Sequence, residues 1–150
     1  MLKIRKAKKQ DLKRLEEFFD VLDEKSNMFF NRTGKSRERV FGYVNGTMNN
    51  MEVFIAEYSG ELAGILILCD ISRSVIWLSI CVGENFRRKR IGTQLLRAAE
   101  RYCMHSGIGG ILLCVHPRNT AAENLYKREG YEKIGVSGNE NLYIRIFDRQ

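Results

Sequence analysis

Residues 82–93 read Val82-Gly83-Glu84-Asn85-Phe86-Arg87-Arg88-Lys89-Arg90-Ile91-Gly92-Thr93. Beyond an apolar stretch comes Asn119-Thr120-Ala121-Ala122-Glu123-Asn124-Leu125-Tyr126-Lys127-Arg128-Glu129-Gly130-Tyr131. The first segment joins clustered cations to a helix start, where backbone N–H groups and the positive end of the helix dipole meet an incoming anion. Arg87, Arg88, Lys89, Arg90, Ile91, Gly92 and Thr93 are therefore the candidate anion site. Leu95, Leu96, Ala98, Ala99, Tyr102 and Cys103 then recur on one helical face, and Gly107 is expected to stop that helix. Upstream, Val75 to Val82 is apolar almost throughout, the pattern of a central strand covered on both faces. The anion site is thus expected at the carboxyl end of a buried strand.

These segments resemble the GCN5-related N-acetyltransferase (GNAT) family. Its acetyl-CoA motif runs Val, a short stretch, Arg or Gln, two residues, Gly, one residue, then Gly or Ala, and is matched at Val82, Arg87, Ile91 and Gly92. Its second signature, Asn-x-x-Ala-x-x-Leu-Tyr-x-x-x-Gly-Phe/Tyr, is matched at Asn119, Ala122, Leu125, Tyr126, Gly130 and Tyr131. One position departs: Arg90 stands where the family usually has the first glycine of its phosphate loop, a place attributed to close approach of backbone and ligand. The resemblance spans nearly the whole length and implies a GNAT fold, an α/β mixed sheet of six to seven strands with about four helices. It also implies acetyl-CoA as cosubstrate and direct transfer to a primary amine, of a small molecule or a protein alpha-amino group. Cys114 and His116 replace side chains that relatives acting on protein N-termini commonly carry before the asparagine.

A chain of 150 residues suits one domain over 1–150. Lys plus Arg number 25 against 18 Asp plus Glu, a net +7 that attracts polyanions such as CoA or nucleic acid without choosing between them. Cys69, Cys81, Cys103 and Cys114 form no C-x-x-C pair and accompany only 2 histidines, so no metal site is expected and the thiols read as reduced core residues. The amino terminus lacks an apolar h-region and no run approaches a membrane span, which gives the expectation of a soluble, cytoplasmic protein. The sequons at Asn31 and Asn45 are then idle.

Patterning gives the order β-α-α-β-β-β-α-β-α-β-β. Leu2 and Ile4 alternate in a first strand; Leu12, Leu15, Phe18, Phe19 and Leu22 follow at helical spacing, with Asp11 the candidate cap. A second helix is expected over Arg37 to Met48. Strands over 51–58 and 62–69 are joined at Ser59-Gly60, and the strand at 75–82 comes next. A helix from about Gly92, a strand at 111–115, a helix from Thr120 and strands near 131–136 and 141–147 complete the order. Thr120 and Glu123 have the spacing of a capping box.

Acetyl transfer requires a polarised thioester carbonyl, a neutral amine close by and a proton for the departing thiolate. By resemblance, main-chain groups at Cys81 and Val82 bind the pantetheine arm and acetyl oxygen, as an oxyanion donor would, and Asn119 and Ala122 approach the same arm. Tyr126 is the candidate proton donor to sulfur, its alternative being a packed helix tyrosine. The amine's base is sought among Glu57, whose alternative is a solvated strand-end carboxylate, and Ser79, which holds either a water or the backbone; His116 is a third candidate. Phe29 and Phe30 are candidate acceptor walls, since the family places its acceptor beside that region. The partners expected are acetyl-CoA and an amine, with a second copy of the chain a further candidate, and neither nucleic acid nor membrane. A noncatalytic acyl-CoA sensor or a basic nucleic-acid module on the same fold is the alternative. Gly34-Lys35-Ser36 fails as a nucleotide loop because Phe29 occupies its first glycine position.

Overall fold

The computed structural model describes residues 1–147; residues 148–150, the end of the expected domain, lie outside the described residues. Seven strands form one mixed sheet: β1 (Leu2–Lys6), β2 (Met51–Tyr58), β3 (Glu61–Cys69), β4 (Val75–Val82), β5 (Gly110–Val115), β6 (Glu132–Ser137) and β7 (Glu140–Ile146), in the spatial order β1-β2-β3-β4-β5-β7-β6. Every pairing is antiparallel except β4 with β5. Five helices flank the sheet: α1 (Leu12–Asp20), α2 (Glu24–Phe29), α3 (Lys35–Val44), α4 (Ile91–Ser106) and α5 (Thr120–Arg128).

The parallel pair determines where the sheet opens. β3 follows β4 as far as Gly64 opposite Val82, but β5 pairs with β4 only at Val75, Ile76 and Trp77. Beyond Trp77 the two strands part, because β5 continues along β7 as far as Val115 opposite Asn141. Leu78 to Val82 thus have a laddered side toward β3 and an unladdered side toward β5.

Apolar layers cover both faces. Leu66, Leu68, Ile76 and Leu78 pack beneath Ile91, Leu95, Leu96 and Ala99 of α4, whereas Val53, Ile55, Ile65 and Ile67 pack against Leu15, Phe19 and Val40 of α1 and α3. Alternation along each strand produces this division. β4 is less enclosed than its apolar run implies: Trp77 is 36% exposed and Ser79 half-buried, because that face floors an open chamber. No helix among the described residues is long and apolar enough to cross a membrane.

Several local expectations change. Three helices, not two, separate β1 from β2, since residues 24–29 form a helix too short to display periodicity. α3 spans 35–44 rather than 37–48. Asp11 does not cap α1; its carboxylate instead accepts from Arg5 at 2.8 and 2.9 Å, from Arg14 at 3.0 Å and, in a capping box on the short turn before the helix, from the Lys8 N–H at 2.8 Å. Asn119, not Thr120, caps α5 by accepting from the Ala122 N–H, and Glu123 is drawn away to Tyr143 and Asn141. Gly107 does end α4, with φ +72°.

The Arg5–Asp11–Arg14–Glu57 network ties β1, β2 and α1 together. Hydrogen bonds from Arg5 hold the Asp11 carboxyl well below its usual range, and those from Arg14 lower Glu57. A depressed carboxylate stabilises the fold above its unfolded pKa of about 4, and that stabilisation is lost as pH falls through the folded value. Denaturant titrations should show Asp11→Asn losing about 2 kcal/mol at neutral pH. Its stability should also change less than that of the wild type as pH drops below about 4.

Candidate functional site

Three adjoining spaces follow the parting of β4 and β5. A cleft of about 370 Å³ is lined by Cys81, Val82, Arg87, Gly92, Asn119, Ala122 and Tyr126, among others. A chamber of about 780 Å³ lies between α2, α3 and the strands, with Trp77 and Ser79 on its floor. Between them a throat of about 80 Å³ shares Tyr126 and Asn119 with the cleft and Ser79 and Cys114 with the chamber. Phe29 and Phe30 line all three.

The loop before α4 explains its own sequence. Arg88 and Arg90 both hold positive φ, +64° and +61°, and Arg90 is the residue that opens the helix without a side-chain cap. Without a side-chain cap, the first N–H groups of α4 are left to other partners, a feature that helix N-termini use to bind anions. Glycine is therefore favoured at position 90 for its left-handed backbone as well as for ligand approach. At Gly92, an added Cβ would lie 3.3 Å from Leu125 and 3.8 Å from Val82, so α4 and α5 meet closely there.

The cations of this loop are unequally placed. Arg87 already donates to both Asp23 oxygens, at 3.0 and 3.2 Å, and to Ser26 Oγ at 2.7 Å, joining the loop to α2. Burial alone would raise the Asp23 carboxyl, but hydrogen bonds from Ser26 and Arg87 outweigh it and lower it. Lys89 lies 5.2 Å over the Tyr58 ring, and the Ile91 side chain is in the core. Arg88, Lys89, Arg90, Ile91 and Thr93 do not line the cleft, whereas Lys25 and Arg118 do, and the sequence reading had not singled those two out.

Tyr126 reaches the throat from α5, is 7% exposed, and its hydroxyl makes no hydrogen bond among the described residues. Burial, reinforced by nearby Cys81, pushes its phenol above the usual value, so it stays a proton donor. Burial likewise pushes the Cys81 thiol up to about 12 and raises Cys114, where Glu140 adds to the effect. Neither thiol is therefore a ready nucleophile. Ser79 lines throat and chamber; its backbone is in the β3–β4 ladder opposite Ile67, and its hydroxyl makes no hydrogen bond among the described residues.

Glu57 lies elsewhere. It accepts from Arg5 at 3.0 Å and Arg14 at 2.8 Å, lines none of the three spaces, and its lowered pKa makes it a weak base. The carboxylates that line the chamber are Asp70 and Glu140; Glu140 neighbours Cys114, which also lines the throat. His116 lines the throat 5.3 Å from the Phe29 ring, and its Nδ1 accepts from the Arg118 N–H at 3.1 Å. That bond occupies the His116 Nδ1 with a main-chain donor. No group of acidic, His or Cys side chains suited to a metal occurs among the described residues.

Comparison with known proteins gives a consistent picture. The family described as "Acetyltransferase (GNAT) family" matches residues 6–131. A curated Arabidopsis thaliana protein, GCN5-related N-acetyltransferase 6, chloroplastic, is 30% identical over 64 residues, 43% of this chain but only 22% of that protein. Among solved structures, a GNAT-family acetyltransferase from Streptococcus pneumoniae superimposes with TM-score 0.79 at 24% identity, covering 98% of this chain and 100% of that one. A PaiA N-acetyltransferase from Thermoplasma acidophilum, solved in complex with coenzyme A, gives TM-score 0.79 at 20% identity, covering 98% and 99%. The fold is that of these enzymes.

Relief of the left-handed strain at residue 90 is measurable. Arg90→Gly should raise stability by about 1 kcal/mol in chemical denaturation; a loss would show that the Arg90 side chain makes a stabilising contact of its own.

Proposed function

The chain belongs to the GNAT acetyltransferase family, and we propose that it transfers an acetyl group from acetyl-CoA directly to a primary amine, cofactor and acceptor meeting at the throat. The observation that carries this reading is the junction itself: cleft and chamber each share lining residues with the throat, which Tyr126 and Ser79 both line.

The residues present fit CoA. The unladdered side of Leu78 to Val82 offers strand N–H and C=O groups, which suit the amides of a pantetheine arm as they would an added strand. The α4 terminus supplies backbone donors for a pyrophosphate, with Arg88, Arg90, Lys25 and Arg118 as surrounding charge. When bound, acetyl-CoA supplies the activated thioester.

Tyr126, buried and protonated, donates its proton to sulfur as the C–S bond breaks. Main-chain N–H groups at the end of β4 stabilise charge on the carbonyl oxygen. The amine nitrogen forms the new bond to carbon and loses its proton to Glu140 through water held by Ser79. Glu140 takes the role first sought in Glu57 because Glu57 is locked between two arginines. The raised thiols of Cys81 and Cys114 support transfer without an acyl-cysteine.

Tyr126→Phe should lower kcat by about 10²-fold with acetyl-CoA affinity unchanged, measured by thiol release and calorimetry. Glu140→Gln should lower kcat/KM for the amine, recovering in part at high pH where the free amine is more abundant. Wild-type turnover in the Phe variant would remove Tyr126 from the chemistry.

A further inference from the structure

The chamber wall formed by α3 carries a charge pattern that acetyl transfer alone does not require. Lys35 and Arg39, one turn apart on α3, line it together with Arg32 from the turn that precedes the helix. None of the three has an ion-pair partner among the described residues. Arg37, on the neighbouring face, differs: it pairs with Asp20 at 2.9 Å and lies over the Phe19 and Phe41 rings. The helix thus neutralises its cation outside the chamber and leaves those inside it open. None of the three lines the cleft, and all of them line the chamber on the far side of the throat.

The chamber also holds two carboxylates among its apolar and polar lining. Glu140 stands beside Cys114, near the throat, and Asp70 lies beside Cys69. An ammonium group directed at the throat meets Glu140 and Ser79, while the remainder of the molecule extends toward α3 and three cations. A neutral amine or a polyamine would leave that wall uncompensated, and a polyamine would be repelled by it. The volume, about 780 Å³, is that of a small-molecule site.

On the reading that this is the acceptor chamber, we propose that the acceptor is a small amine bearing an anionic group, carboxylate or phosphate, bound by Arg32, Lys35 and Arg39. Arginine takes either group through paired N–H donors, and lysine adds a point charge.

The test compares acceptors that differ only in that group: β-alanine against its amide, and O-phosphoethanolamine against ethanolamine, each by thiol release from acetyl-CoA. Their N-acetylated counterparts are titrated calorimetrically in the presence of CoA. At least one acidic member should exceed its neutral partner about tenfold in kcat/KM and in affinity, and the winning pair identifies carboxylate or phosphate. A Lys35→Gln, Arg39→Gln double variant should bring that ratio close to one while leaving acetyl-CoA affinity unchanged. Equal or better use of the neutral partners, or a preference that survives in the double variant, overturns the proposal. Absence of thiol release with every amine would count against the transferase reading instead, and the calorimetric ratio would still decide the charge preference.

Discussion

The arrangement depends on the parting of β4 from β5. Three residues of parallel pairing, Val75 to Trp77 against Gly110 to Leu112, hold the two halves of the sheet together, after which β5 stays with β7 and β4 with β3. Backbone groups inside a sheet are normally paired, and leaving a run of them open is costly unless water or a ligand completes them. The same divergence makes room for Tyr126 from one side and for Phe29 and Phe30 from the other, so cleft, throat and chamber share one structural origin.

Helix α2 links the two binding regions. Its Asp23 and Ser26 side hold Arg87 of the anion loop, while Phe29 at its other end contacts His116 across the throat. The loop before α4 and the wall of the chamber are therefore connected through the six residues of α2. Burial raises the Tyr126 phenol and the Cys81 and Cys114 thiols at this junction, which keeps all three protonated, as the proposed transfer requires.

Much of this was legible in the sequence where the signal is local. The strands at 51–58 and 75–82, the α4 face and its Gly107 stop follow from periodicity and turn chemistry. Cys81, Val82, Arg87, Gly92, Asn119, Ala122 and Tyr126 do come together in one cleft. What was not legible depends on distant partners. Glu57 reads as a free carboxylate until Arg5 and Arg14 arrive from 52 and 43 residues away. Glu123 reads as a capping residue until Tyr143 takes it. Lys25, Arg118 and Glu140 belong to no motif, and α2 is too short to announce itself. Arg32, Lys35 and Arg39 belong to no motif either, and only the chamber beside them brings the three cations together.

The central claim is that the α4 terminus and the open edge of β4 hold CoA. Isothermal titration of acetyl-CoA at two salt concentrations tests it most directly. Saturable one-to-one binding at roughly micromolar affinity, weakening as salt screens the phosphate contacts, is the predicted result. Absence of saturable binding at both salt concentrations would contradict the account.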